Sequence, residues 1–198
     1  MDAIFEATIQ LLLTDGPHKL TTTRVAERAG VSVGTMYQYF PHKQALIYAL
    51  NERYLDALAG RIEATCAAHH GAPVAKGVEA LIDVYWQAKT ERPDLTRALY
   101  RSVADMDNRA LIEAFATRTD FATTAMLSSA TDASFADVNS INRTLVTVIF
   151  GAVRNAFERN LAGPVAEDVR AQLVVMCRAY LEASLSRPPA RTSLSSTK

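Results

Sequence analysis

Residues 22–40, TTRVAERAGVSVGTMYQYF, are the stretch that decides the fold. Ala26 is a small residue, and Gly30 follows it four positions later. Two helices that cross closely need a small residue at the crossing and a residue that tolerates positive φ in the turn between them. The stretch therefore predicts a helix-turn-helix, in which Thr22 caps the first helix and Ser32 caps the second. The free amide groups at the start of the second helix suit a phosphate.

The charge around this stretch is positive. Between residues 16 and 45 the charged side chains are Lys19, Arg24, Arg28 and Lys43 against the single acid Glu27, a balance of +3. The whole chain has 21 basic and 21 acidic residues, so the remainder carries −3. A locally basic head on a neutral protein is typical of a protein that binds DNA at one end.

The motif AGVS-x-GT-x-Y-x-Y-F-x-x-K-x-x-L, which runs from Ala29 to Leu46, resembles the head of the TetR family of transcriptional regulators. The resemblance extends over about residues 1–50, and beyond them only the helical pattern is similar. It implies an all-α, dimeric, ligand-responsive repressor. Members of the family often carry a basic arm before the first helix, whereas this chain begins with that helix, so we expect a modest affinity for DNA.

The resemblance also assigns roles to residues of the head. Thr22 would bind a phosphate, and Tyr37 and Lys43 would clamp the DNA backbone. Val33 and Thr35 can touch thymine methyl groups in the major groove, and Gln38 can pair with adenine. The complete set of expected DNA-binding residues is Thr22, Thr23, Arg24, Ser32, Val33, Gly34, Thr35, Tyr37, Gln38, Tyr39, His42 and Lys43.

The rest of the chain predicts helices throughout. Of the 198 residues, 49% are hydrophobic and 21% are charged, as in an ordinary globular protein. Apolar residues recur at spacings of three and four between sparse glycines and prolines, which predicts an all-α fold of about nine helices. We expect a helix-turn-helix DNA-binding domain at 1–45, a larger helical-bundle domain for ligand binding and dimerisation at 46–187, and a disordered tail at 188–198.

Two long helices near the end of the chain favour a homodimer. Ser134, with Asp137 three residues on, predicts a capping box that opens a helix to about Leu161. A final helix follows Pro164. The apolar faces of both are wide enough to form a four-helix bundle with the same two helices of a second chain, and Gly151 permits close crossing. The alternative is that these faces belong to the core of one chain.

Aromatic residues and methionines in the middle helices are candidates for a ligand cavity. They suit a flat, apolar or aromatic effector, although Arg97 or Arg101 can meet an acidic group. Residues at such spacing also form ordinary cores, and this alternative stays open. The candidates are Tyr85, Trp86, Tyr100, Met106, Phe115, Phe121 and Met126.

Several classes of protein do not fit the sequence. Two distant cysteines make no disulfide framework, and Cys66 with His69 and His70 lacks a fourth metal ligand, so neither a metal nor another cofactor is expected. No nucleophile and base can be assembled into a catalytic site, which argues against an enzyme. The charge-free apolar stretch 144–153 is about half the ~20 residues that a membrane span needs, and no signal peptide begins the chain, so we expect a cytoplasmic protein.

Together with what the resemblance to the TetR family implies, these patterns predict a cytoplasmic regulator, more specifically a repressor, that binds a near-palindromic operator as a homodimer. A small apolar or aromatic effector would release it. The alternative is a helical small-molecule binding or scaffold protein whose head contacts other proteins rather than an operator.

Overall fold

The computed structural model describes residues 1–103 and 106–186, and within these ranges the chain forms nine α-helices and no strand. This confirms the predicted all-α fold. The helices are α1 (Asp2–Asp15), α2 (Thr22–Ala29), α3 (Val33–Tyr39), α4 (Lys43–Ala68), α5 (Val74–Thr90), α6 (Pro93–Val103), α7 (Arg109–Ser128), α8 (Val138–Glu158) and α9 (Gly163–Ala183), with a single 3₁₀ turn at Pro17–Lys19.

The helix-turn-helix forms as the sequence predicts. Gly30 adopts φ 68° and ψ 29°, in the left-handed region, and ends α2. The amide of Val31 then donates to the carbonyl of Ala26 at 3.0 Å, which closes the turn. The predicted cap of α2 is wrong by one residue: Thr21 has the extended backbone of an N-cap, and its hydroxyl accepts from the amide of Arg24 at 3.2 Å. Thr22 is instead the first helical residue and is buried.

The head has its own apolar core, which joins α1, α2, α3 and the first half of α4. Val25, Ala26 and Met36 are completely buried there. Two residues of α6, Ala98 and Leu99, belong to the same cluster. The head is therefore packed directly against a helix of the body.

The body is a bundle of α4 to α9 around a second apolar core. Its fully buried side chains come from four helices, namely Ile62, Val78, Leu81, Ile82, Leu145, Ile149 and Leu181. The predicted cap at Ser134 is wrong, because α8 begins later: the carboxylate of Asp137 accepts from the amide of Ser140 at 3.0 Å and makes Asp137 the N-cap. The shorter α8 still spans the bundle.

Two other predictions concern the tail and a possible membrane span. The expected disordered tail, 188–198, lies outside the described residues. Within the helices that the structure does describe, none is long and apolar enough to cross a membrane.

Candidate DNA interface and effector cavity

The helix α3 turns one side into the head core and leaves the other open. Met36 is fully buried, and Phe40, which follows the helix, packs against Phe5 with ring centroids 6.0 Å apart. These two anchors fix the helix. The side chains or backbone left exposed are those of Ser32, Val33, Gly34, Tyr37, Gln38 and Tyr39, with Thr35 half-buried.

The start of α3 is capped tightly. The hydroxyl of Ser32 accepts from the amide of Thr35 at 2.9 Å, as predicted for an N-cap, and the two hydroxyl groups lie 2.7 Å apart. Ser32 and Thr35 therefore hold each other in one orientation. The exposed aromatic rings of Tyr37 and Tyr39 follow on the same short helix, 49% and 58% exposed.

The cations of the head are tied to neighbouring groups in the free protein. Arg24 forms an ion pair with Asp15 and donates to the carbonyl of Lys19 at 2.9 Å. Arg28 donates to the amide oxygen of Gln10 at 2.9 Å. Lys43 reaches back across the head to donate to the carbonyl of Pro17 at 3.3 Å. Arg28 is exposed, and Arg24 and Lys43 are half-buried, so all three residues keep contact with water.

Three further predicted DNA-binding residues lie beside α3 in different settings. His42 is the N-cap of α4, where its Nδ1 accepts from the amide of Ala45 at 3.1 Å. Thr23 is exposed on α2. Thr22 is only 7% exposed, which leaves little of its side chain for a phosphate. The structure thus leaves eleven of the twelve predicted residues exposed or half-buried, whereas Thr22 is largely covered.

A cavity of about 360 Å³ opens in the body between α5, α6, α8 and α9. Its size is within the usual range for a small-molecule site. The walls are mainly apolar, and they include Trp86, Pro93, Val153, Ala156 and Phe157. The polar groups on the wall include Lys89, Arg97 and Glu167.

Lys89 is an unusual residue of this cavity, since it is only 2% exposed. Its ammonium lies 5.1 Å from the ring centroids of Tyr54, Tyr85 and Tyr100, and it donates to the hydroxyl of Tyr54 at 3.2 Å. Burial, and secondarily the positive charge of Arg154, lower the pKa of Lys89 to about 8. The body therefore encloses a cation that is held by aromatic faces.

A chain of stacked rings extends from this cation across the bundle. Tyr85 stacks on Phe150 at 4.2 Å, and Phe150 contacts Phe115 at 5.8 Å. On the other side, Tyr100 meets Phe157 edge to face at 5.9 Å. Burial raises the pKa of both Tyr85 and Tyr100, so these hydroxyl groups stay neutral.

The structure separates the seven residues predicted to line a cavity. Trp86 lies on the wall, and Tyr85, Tyr100 and Phe115 belong to the aromatic layer behind it. The other three are elsewhere, and the prediction of one shared cavity is corrected for them. Met106 packs against the head core, Met126 is buried against Gly77 in the body core, and Phe121 is 80% exposed on the outside of α7.

Lys89, Tyr54, Phe150 and Phe157 are residues of this region that the sequence analysis did not single out. One signal was available, because Lys89 follows Tyr85 by four residues and so shares a helix face with it. Cys66, by contrast, lies in the body core, where burial raises the pKa of its thiol to about 11. His, Cys, Asp and Glu side chains of the described ranges form no group of three that could hold a metal ion.

Comparisons with known proteins agree with this architecture. A model described as "Bacterial regulatory proteins, tetR family" matches residues 4–50, which include α2 and α3. A second, described as "Tetracyclin repressor-like, C-terminal domain", matches residues 73–181, which is more than half of the chain. Together the two matches contain both the helix-turn-helix and the cavity.

Individual proteins are also similar in sequence to parts of this chain. The chain is 35% identical over 97 residues to the nucleoid occlusion factor SlmA of Actinobacillus pleuropneumoniae, covering 48% of this chain and 47% of that protein. It is 30% identical over 110 residues to the HTH-type transcriptional repressor KstR of Rhodococcus jostii, covering 56% of this chain and 50% of that protein. The match thus spans about half the length of these relatives.

A solved structure resembles the chain over nearly its whole length. The transcriptional regulator FadR of Bacillus subtilis, in complex with stearoyl-CoA, has a TM-score of 0.64 and 16% identity, covering 93% of this chain and 97% of FadR. At this identity the likeness shows the fold. With both family models matched, the chain belongs to the TetR family of bacterial regulatory proteins.

Proposed function

We propose that the protein is a cytoplasmic transcriptional repressor that binds a near-palindromic operator as a homodimer. The observation that carries the proposal is the exposed face of α3, with Val33, Tyr37, Gln38 and Tyr39 held outward by the buried anchors Met36 and Phe40. A helix of this kind fits the major groove, where amide and methyl-bearing side chains distinguish base pairs. The name of the relative KstR, a transcriptional repressor, supports repression over activation.

Phosphate contacts in this proposal come from the cations and hydroxyl groups that border α3. Lys43 and Arg24 lie at the surface, and their partners Pro17 and Asp15 belong to the same rim of the head. Side chains that are already ordered lose less conformational entropy when they meet a phosphate. Tyr37, with an exposed hydroxyl-bearing ring, completes the backbone contacts.

The homodimer in this proposal forms through the exposed faces of α8 and α9. Val175 and Met176 are large apolar residues that are 59% and 49% exposed on α9. Gly151 is exposed on α8, and no atom lies within 4 Å of the position that a β-carbon would take there. A small residue between apolar ones permits two helix pairs to approach closely as a four-helix bundle. Two heads spaced by about 34 Å would then reach successive major grooves.

The effector response in this proposal passes through α6 as well as α4. Pro93 and Arg97 of α6 line the cavity, while Ala98 and Leu99 of the same helix are buried in the head core. A ligand that changes the position of α6 therefore changes the support of the head. The ligand must bind the DNA-free arrangement more tightly than the DNA-bound one, since equal affinity shifts no equilibrium.

The test is a gel-shift titration of the purified full chain with the DNA upstream of its own gene, at low salt. A specific band, competed by the same unlabelled duplex and not by scrambled DNA, is the expected result. Light scattering on the same sample measures the mass of the complex and should give two chains. If no specific band forms at low salt, the protein is instead a helical small-molecule binding or scaffold protein.

A further inference from the structure

We propose that the effector of the body cavity is an apolar molecule with a single carboxylate, and that Lys89 binds this carboxylate. The inference rests on the proposed function only in naming this molecule an effector. Its basis is the chemistry of the cavity, in which an apolar wall meets one enclosed cation. It names the class of ligand and the residue that selects it.

The first argument is that the ammonium of Lys89 has hydrogen-bonding capacity left over. An ammonium group has three N–H donors. The hydroxyl of Tyr54 accepts one of them at 3.2 Å, and three aromatic faces surround the group at 5.1 Å. Aromatic faces attract a cation but are weaker partners than an anion in a dry site. A carboxylate entering from the cavity would bind donors that the protein itself does not occupy.

The second argument is that the charge of Lys89 is not balanced by a neighbouring acid. Among the described residues, no carboxylate oxygen lies within 4.0 Å of its ammonium, whereas the nearby guanidinium groups are paired. Arg154 donates to Glu158 at 2.7 Å, and Arg97 contacts Asp94 at 3.4 Å. The charged and titratable groups around Lys89 and the adjoining cavity are Tyr54 on α4, Tyr85 on α5, Arg97 and Tyr100 on α6, Arg154 on α8 and Glu167 on α9.

The third argument is the nature of the remaining wall. Trp86, Val153, Ala156 and Phe157 offer apolar surface, and the volume of about 360 Å³ suits a chain of roughly ten carbons. Glu167 on the same wall is exposed to water, whereas Lys89 is only 2% exposed. A ligand with one negative charge would therefore balance the one buried cation of this wall. A sugar or a polyphosphate would lose many hydrogen bonds to water on entering the cavity, and these mainly apolar walls would replace only a few of them.

The experiment compares sodium decanoate with decan-1-ol, which differ in the carboxylate. Binding to the full chain is measured without DNA by isothermal titration calorimetry at pH 7. We expect decanoate to bind at least tenfold more tightly than decanol to the unaltered chain. The Lys89→Met variant should lose this preference and bind both alike. The control Lys76→Met, an exposed lysine on the same helix, should retain the preference.

A second measurement does not depend on any variant. Since the pKa of free Lys89 is about 8, decanoate should bind the unaltered chain about tenfold more weakly at pH 9 than at pH 7, and decanol should bind equally at both. Equal binding of the two probes to the unaltered chain would overturn the proposal. So would a Lys89→Met variant that still prefers decanoate.

The two proposals fail in different assays. The calorimetry contains no DNA and reports only on the cavity. The gel shift contains no decanoate and reports only on operator binding. A protein that selects decanoate through Lys89 but gives no specific band would retain the ligand site and lose the regulatory function.

Discussion

The head and the body of this protein place their cations in opposite ways. In the head, Arg24, Arg28 and Lys43 lie at the rim of an apolar core, where a large polyanion can reach them. In the body, Lys89 is buried among three tyrosine rings beside the cavity, where a large polyanion cannot reach it. The comparison teaches that the cations of the two regions differ in their access to solvent and not in their charge. Five groups of substitutions test the two regions.

The largest effect is expected from Met36→Ala in the head core. Met36 is completely buried in the apolar core of the head, and truncation of such a residue costs about 2–5 kcal/mol of unfolding free energy. Denaturant unfolding measures the loss, and operator binding should fall with it. The matched change Tyr39→Ala, on the exposed side of the same helix, should weaken operator binding at nearly unaltered stability. Equal losses of stability in the two variants would contradict the assigned faces of α3.

The next effect is expected from Gly151→Arg on the exposed face of α8. Two arginines facing each other across a twofold axis would separate the chains and lower operator affinity by roughly a hundredfold, about 3 kcal/mol. Light scattering should report a monomer with unaltered helical content. Gly60→Arg is the control. Gly60 lies on α4, which packs against α5, α6 and α7 and is not part of the proposed α8–α9 interface. A β-carbon at Gly60 also has no atom within 4 Å, so the same side chain can be introduced there. A dimeric Gly151→Arg protein would exclude this face as the interface.

Lys89→Met should make the body more stable while it removes the enclosed charge. The pKa of Lys89 falls from 10.5 in the unfolded chain to about 8 on folding, so the unfolded chain binds more protons between these values and stability rises with pH there. The variant should therefore exceed the unaltered chain by about 3 kcal/mol at pH 7 and by about 1 kcal/mol at pH 10. Thermal unfolding across this range measures the difference. If the difference in unfolding free energy between the variant and the unaltered chain does not narrow as the pH rises, the titration of Lys89 is not the cause of that difference.

Gln38→Ala should change what the head recognises rather than whether it binds. Gln38 is exposed on the side of α3 that the proposed function places in the major groove, and a bidentate pair with adenine contributes about 1–3 kcal/mol of discrimination. Binding to a set of operators altered one base pair at a time should show relaxed preference at a single position in each half-site. If the variant instead loses base preference equally at every position, Gln38 contacts the DNA backbone rather than one base.

The smallest effect is expected from Lys43→Ala and from Tyr37→Phe. Each should weaken binding to all duplexes alike, and loss of the Lys43 charge should reduce the slope of log affinity against log salt by about 1. Titrations at several salt concentrations measure the slope. Because Lys43 donates to the carbonyl of Pro17 in the free protein, a small loss of stability should accompany the change. An unaltered slope would remove Lys43 from the phosphate contacts.

The head could be predicted from sequence far better than the cavity. Gly30 and Ser32 act through hydrogen bonds to residues only three or four positions away, so their spacing alone specifies the turn and the cap. Met36 could be predicted as an anchor because it is an apolar residue on a short helix, although its partners come from distant parts of the chain. The caps at Thr21 and Asp137 were missed because a run of threonines, or a serine three residues before an aspartate, offers more than one cap of similar chemistry.

The cavity depends on distant residues that no local pattern relates. Lys89 meets Tyr54 from 35 positions earlier and lies near Arg154 from 65 positions later. Phe121 has the apolar side chain of a core residue but faces outward, and only the rotation of α7 within the bundle decides this. The side-chain types therefore indicated that aromatic residues lie near a cavity, whereas tertiary packing determines which of them do.

The helix α6 limits how the ligand specificity of this protein can diverge. One of its faces is shared with the head core through Ala98 and Leu99, so a substitution at neighbouring Arg97 that shifts the helix also disturbs the fold of the head. The opposite wall includes Val153 on α8 and Ala166 on α9, and neither residue belongs to the apolar core of the head. Efforts to retune the protein as a biosensor for a chosen small molecule should vary that wall first and leave α6 as it is.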